Sequence, residues 1–66
     1  MKGNIFTDLE FEIIKLIHSG LNSEQIANKL FVSTFTINTH RRNIFDKTGK
    51  AHISDVIYDL KEKGLL

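Results

Sequence analysis

Apolar residues recur at helical spacing through most of the chain, and no stretch keeps the period of two that a strand requires, so the pattern predicts an all-α protein. Four segments carry it, at about 8–19, 23–30, 34–48 and 55–63. In the first, Leu9, Ile13, Leu16 and Ile17 form one stripe along a helix face. Thr7-Asp8-Leu9-Glu10 reads as a capping box, in which the threonine hydroxyl and the glutamate carboxylate each satisfy a backbone N–H that the helix leaves unpaired. Phe6 and Phe11 stand at the flanking staple positions. Gly20 supplies the left-handed residue that ends the helix, and Leu21 folds back on Leu16.

The second helix follows the same grammar, with Asn22 as N-cap, Gln25 three residues on and Leu21 stapled to Ile26; its core face is Ile26, Ala27 and Leu30. The third starts at Ser33 between the staple pair Val32 and Ile37 and runs to about Thr48, where Gly49 stops it. The fourth is expected to start at Ser54 with Ile53 and Tyr58 as its staple. It buries Val56, Ile57 and Leu60 and ends at Gly64, with Leu65 reaching back to Leu60.

The link between the second and third helices is short, because only Phe31-Val32-Ser33 separates Leu30 from the next helix. Two helices joined so tightly, with the small Ala27 allowing close approach, have the geometry of a helix-turn-helix over 22–48. Buried positions at Ile26, Leu30, Val32 and Ile37, with His40 next in line, suit such a pair closing on another helix. The turn of this motif often holds glycine; here Phe31 stands in it.

Composition narrows the function. The chain has 66 residues, no cysteine and no proline, which makes it one small domain (1–66) without disulfides or thiolate metal sites. No apolar run approaches the roughly 18 residues of a membrane span, and Met1-Lys2-Gly3-Asn4 leads into no signal-peptide core, so the chain is expected to be soluble and cytoplasmic. Net charge is only +1, but residues 34–53 hold four basic side chains (Arg41, Arg42, Lys47, Lys50) against one acid. A polyanion is favoured there, with His40 and His52 able to add to the charge; an ordinary solvated helix face is the alternative.

On the third helix, Ile37, His40 and Ile44 share the inner side, with Arg41 at its margin. Phe35, Asn38, Thr39, Arg42, Asn43 and Asp46 point outward. An α-helix fits the major groove of duplex DNA, where Asn pairs with the adenine edge, Arg with guanine, and a Thr methyl meets that of thymine. The N–H groups after Ser33, with the hydroxyls of Thr34 and Thr36, form a site for a backbone phosphate or simply a capped helix start. Lys47 and Lys50 hold a second phosphate or complement the helix dipole.

Taken together, from Phe6 to about Val56, these residues resemble the DNA-binding domain of LuxR/GerE-type transcription regulators, found also in FixJ- and NarL-like response regulators. The resemblance is carried by Thr7-Asp8-Leu9-Glu10-Phe11-Glu12-Ile13-Ile14, Leu16-Ile17-His18-Ser19-Gly20-Leu21-Asn22-Ser23, Ile26-Ala27-Asn28-Lys29-Leu30-Phe31-Val32-Ser33 and Thr36-Ile37-Asn38-Thr39-His40, with Ile44 and Lys47. It implies a four-helix helix-turn-helix domain with 34–48 as recognition helix, in which Asn38, Thr39 and Arg42 touch bases. Thr36 and Lys47 contact phosphates, and Ser33, Thr34, Arg41, Asn43 and Lys50 complete the expected backbone set. His40 falls at the family's histidine position and reads as a packed histidine, not a metal ligand. The chain departs from the family at Leu9 and Gln25, where an arginine and a glutamate are usual, and at Thr48 and Lys50, where apolar residues are usual and helix 3 packs onto helix 4.

The resemblance further implies a bacterial regulator that binds double-stranded DNA as a homodimer through its fourth helix, with RNA polymerase as another expected partner. Two recognition helices one DNA turn apart, ~34 Å, then read a repeat. Tyr58, Leu65 and Leu66 are the apolar material for that interface, unless they only close the monomer core. Such domains occur alone and as the effector piece of a longer chain. A protein-interaction module on the same fold is the competing reading, suggested by the low net charge and by Phe11, Phe31 and Phe35. No enzyme is expected: His18, His40 and His52 are scattered, no glycine-rich loop is present, and neither a cofactor, a metal nor a small-molecule ligand is implied.

Overall fold

A computed structural model describes residues 5–66; the opening Met1-Lys2-Gly3-Asn4, with the reading made of it, lies outside the described residues. The described residues form four helices and no strand: α1 (Asp8–His18), α2 (Ser23–Leu30), α3 (Thr34–Thr48) and α4 (Ile53–Glu62). None is long and apolar enough to cross a membrane. α1 and α3 each pack against the other three helices, whereas α2 and α4 do not meet.

The starts of α1, α2 and α3 are the expected ones, because their caps are made by neighbours in sequence. Thr7 and Glu10 form the full capping box, Glu10 N–H donating to Thr7 Oγ1 at 3.1 Å and Thr7 N–H to Glu10 Oε1 at 3.0 Å. Asn22 and Gln25 repeat it at 2.8 and 2.9 Å. Ser33 Oγ accepts from the Thr36 N–H at 3.1 Å. The fourth start differs. α4 begins at Ile53, and its N-cap is His52, which makes no side-chain cap. Ile53 packs against the core and is thereby drawn inside the helix, so packing rather than capping sets this boundary, and Ser54 stands exposed in the first turn. Tyr58, expected to staple onto Ile53, is 67% exposed.

The core is a single cluster to which every helix contributes: Ile13, Ile14 and Leu16, then Ile26 and Ala27, then Ile37 and Ile44, then Val56 and Leu60. Leu9 is not part of it, at 41% exposed. The buried stripe of α1 is centred one residue later, on Glu10, Ile13 and Ile14 with Ile17 half-buried, which leaves Leu9 outside the stripe on the exposed side of the first turn. Phe11 is half-buried and packs on the core, with the Lys15 ammonium 5.5 Å from its ring centroid, so it is not part of any exposed aromatic surface.

α2 and α3 make the most extensive contact of any helix pair, and Ile26 and Ala27 of α2 are buried in the core with Ile37 and Ile44 of α3. The turn between them is closed by Val32 N–H donating to Ala27 O at 3.0 Å, the six-to-one bond of a Schellman end. Gly20 and Gly64 close α1 and α4 in the same way, with Leu21 N–H reaching Leu16 O and Leu65 N–H reaching Leu60 O. At α2 the left-handed position belongs to Phe31, at φ 59°, although its side chain is 93% exposed and buries nothing. Val32, expected in the core, lies in the turn with one side to water and is 39% exposed.

A β-carbon in the left-handed region costs roughly 1 kcal/mol that glycine avoids. Phe31→Gly therefore raises stability by about 0.5 to 1 kcal/mol, read as a higher urea midpoint at unchanged slope; a fall in the midpoint contradicts this account of the turn.

Candidate nucleic-acid interface

α3 is positioned from both ends and from below. Ile37 and Ile44 are fully buried and fix its inner face. His40 lies between them, half-buried, with its Nδ1 buried and unpartnered among the described residues. No group of three or more His, Cys, Asp or Glu that could hold a metal ion is found among the described residues.

The opposite face is open. Phe35, Asn38, Thr39, Arg42, Asn43 and Asp46 are all exposed, as the spacing predicted, and Arg41 lies half-buried at the margin. Arg41, Arg42 and Lys50 have no carboxylate within ion-pair distance among the described residues, whose ion pairs are Lys15–Glu12, Lys47–Glu10 and Lys63–Asp59. Thr39 Oγ1 donates to Phe35 O at 3.0 Å, so its hydroxyl proton is engaged by the helix itself.

The start of α3 is the one helix start among the four with no acid in its first turn. The N–H groups of Thr34 and Phe35 have no acceptor among the described residues, and positive partial charge gathers there. Thr36, half-buried, is already engaged: its hydroxyl lies 2.9 Å from Ser33 Oγ.

Lys47 has a role that the sequence does not reveal. Its ammonium donates to Glu10 Oε1 and to Ile5 O at 3.3 Å, tying the last turn of α3 to the first turn of α1. Glu10 is 3% exposed, and the same oxygen that Lys47 reaches also accepts the Thr7 N–H. Burial works against ionisation of Glu10, but the hydrogen bonds from Lys47 and Thr7, with the charges of Lys47 and His40, outweigh it and hold its pKa below the usual carboxylate value. One local signal was available: Glu10 keeps the i, i+3, i+4, i+7 spacing of Ile13, Ile14 and Ile17, so it sits at a core position.

Thr48 caps its own helix end, its Oγ1 donating to Ile44 O at 2.9 Å and accepting from Lys50 N–H at 3.2 Å. A cleft of about 50 Å³ opens where Thr48 and Lys50 face Val56 and Leu60 of α4, the region in which the two polar replacements stand. On α4 the exposed aromatic is Tyr58, while Leu65 and Leu66 are half-buried against the core.

A short-linked α2–α3 pair with a solvent-facing, cation-rich α3 on a packed base defines a helix-turn-helix domain of the DNA-binding regulatory class. Residues 4–58 match the model of the bacterial regulatory proteins of the LuxR family, the GerE domain, and the chain belongs to that family. Among solved structures it is similar to the response regulator ChrA of a haem-sensing two-component system, at 29% identity and a TM-score of 0.84. That match covers the whole of this chain and 33% of the other, so the chain spans about a third of the length of that relative.

Because folding lowers the Glu10 pKa, its contribution to stability is present above the ordinary carboxylate pKa and is lost as pH falls through that value and below the folded one. The melting temperature is expected to drop between about pH 6 and pH 3, and less steeply in Glu10→Gln, whose amide oxygen keeps both hydrogen bonds without titrating. Lys47→Met, which strands the buried carboxylate, costs about 2 to 3 kcal/mol at neutral pH, below the full cost of a buried pair because about a third of the lysine side chain is exposed. Equal acid slopes in the wild type and Glu10→Gln rule out the pair as the source.

Proposed function

We infer that this domain binds double-stranded DNA sequence-specifically to regulate transcription, with α3 in the major groove. The observation that supports it best is the exposed face bearing Asn38, Thr39 and Arg42, flanked by cations without carboxylate partners among the described residues. Asn38, Thr39 and Arg42 are proposed to read bases. Ser33, Thr34, Thr36, Arg41, Asn43, Lys47 and Lys50 are proposed to hold the sugar-phosphate backbone, the first three through the acid-free helix start. Lys47 has three N–H donors and uses two of them internally, which leaves one for a phosphate.

Dimerisation through α4 is proposed to rest on the exposed Tyr58, with the parts of Leu65 and Leu66 that their packing on the core leaves uncovered. DNA as ligand suits a single domain over residues 1–66 working in the bacterial cytoplasm, without a cofactor or a catalytic role, and RNA polymerase is the further partner expected of a regulator.

The test is selection from random duplexes, which is expected to return an enriched sequence; no enrichment refutes the reading. On the selected duplex, Arg42→Ala costs about 1 to 3 kcal/mol and relaxes preference at one position. Lys50→Gln weakens all sequences alike and lowers the salt slope by about one. Lys50 is a cleaner probe than Lys47, whose loss also weakens the fold. Tyr58→Ser is expected to keep half-site affinity and abolish cooperative binding to the two-site repeat, measured by titration of one- and two-site duplexes; unchanged cooperativity removes Tyr58 from the interface.

Phe31 and Phe35, 93% and 80% exposed, favour a second reading, a docking surface for a protein partner on the same fold. Titrations at about 50 and 200 mM salt separate the two, because DNA binding weakens steeply over that range.

A further inference from the structure

The wet face of α3 is not uniformly polar. At about 100° per residue, Phe35 and Arg42 fall within about 20° of one another, with Thr39 about 40° to one side and Asn38 about 60° to the other. Phe35 thus stands at the centre of the face. It is 80% exposed and does not pack against the core, so the fold gives no reason for an aromatic ring there. The Thr39 hydroxyl donates back to the Phe35 carbonyl at 3.0 Å. With its proton engaged, Thr39 has its methyl and an acceptor lone pair left to offer. Phe35 and Thr39, four residues apart, therefore form an apolar strip about one turn long, with Arg42 and Asn38 along one side of it.

Only one apolar group projects into the major groove of duplex DNA, the C5 methyl of thymine. The cations Arg41 and Arg42 near the strip lack carboxylate partners among the described residues, and the helix start beside it carries no acid, so its surroundings suit a polyanion. We propose that Phe35 is a specificity-determining residue that selects thymine by its methyl group, with the Thr39 methyl extending the contact. The inference rests on the DNA-binding reading above and adds the base and the group recognised. The preferred operator then carries thymine under the first two turns of α3, and the discrimination is against cytosine and, equally, against uracil.

The experiment uses the full chain and the duplex obtained by selection, together with copies in which each thymine in turn is replaced by deoxyuridine, which deletes only the methyl. The expected result is a loss of about three- to fivefold in affinity at one or two positions, the ratio set by burying a single methyl group. In Phe35→Ala that dependence disappears at the position Phe35 contacts, while Phe35→Leu keeps part of it. Thr39→Ser, which retains the hydroxyl bond to the Phe35 carbonyl, removes the neighbouring dependence. Helical circular dichroism and melting confirm that the variants fold, as exposed positions should.

Full tolerance of uracil at every position, or a uracil penalty equally large in Phe35→Ala, overturns the proposal and leaves DNA binding standing. Failure to enrich any duplex removes both, and salt-independent capture of a protein in its place assigns Phe35 to an apolar partner.

Discussion

The fold turns on one buried carboxylate. Glu10 closes the first turn of α1 through Thr7 and, with the same oxygen, receives the ammonium of Lys47 from the last turn of α3. An acid at 3% exposure is costly unless paired and hydrogen-bonded, and Glu10 is both. The contact also takes in Ile5 O, so the chain entering α1, the helix start and the far end of α3 converge on one cation. Remove the cation, and the acid must take up a proton or find water; either route loses the tie between the first turn of α1 and the last turn of α3.

α3 is consequently constrained along its whole length before any ligand arrives. Ser33 and the three-residue turn hold its near end, Ile37 and Ile44 seat its middle, and Lys47 holds its far end. None of these contacts uses the outward side chains. A helix held in this way docks without the ordering cost that a flexible segment incurs, so affinity depends on the contacts made and not on folding the reader.

Much of the architecture was legible because its determinants are local. The caps at Thr7, Asn22 and Ser33, the glycine ends, and the outward set from Phe35 to Asp46 follow from residues within one turn of each other. Where a distant partner decides, the sequence was silent or misleading. The Glu10–Lys47 pair spans 37 positions, and local reading gave each residue another role: cap for one, phosphate ligand or dipole partner for the other. The Ser54 cap signal lost to the packing of Ile53, and Leu9 lost its place in the stripe because Glu10, not an apolar residue, occupies the centre.

The weak points of this small fold are the turn at Phe31 and the side on which α4 meets the end of α3. A domain of this size has roughly 3 to 10 kcal/mol in hand, so a strained turn and an underpacked cleft are significant fractions of the whole. The cleft separates the end of α3 from α4, and α4 begins without a side-chain cap. Opening from that side exposes Val56 and Leu60 while Ile26, Ala27 and Ile37 remain covered by α1 and by each other. The strain at Phe31 is local to the turn and is opposed by the bond from Val32 to Ala27. Local opening is therefore expected to begin at the helix proposed to meet a second copy, while the pair proposed to meet DNA keeps the more extensive packing.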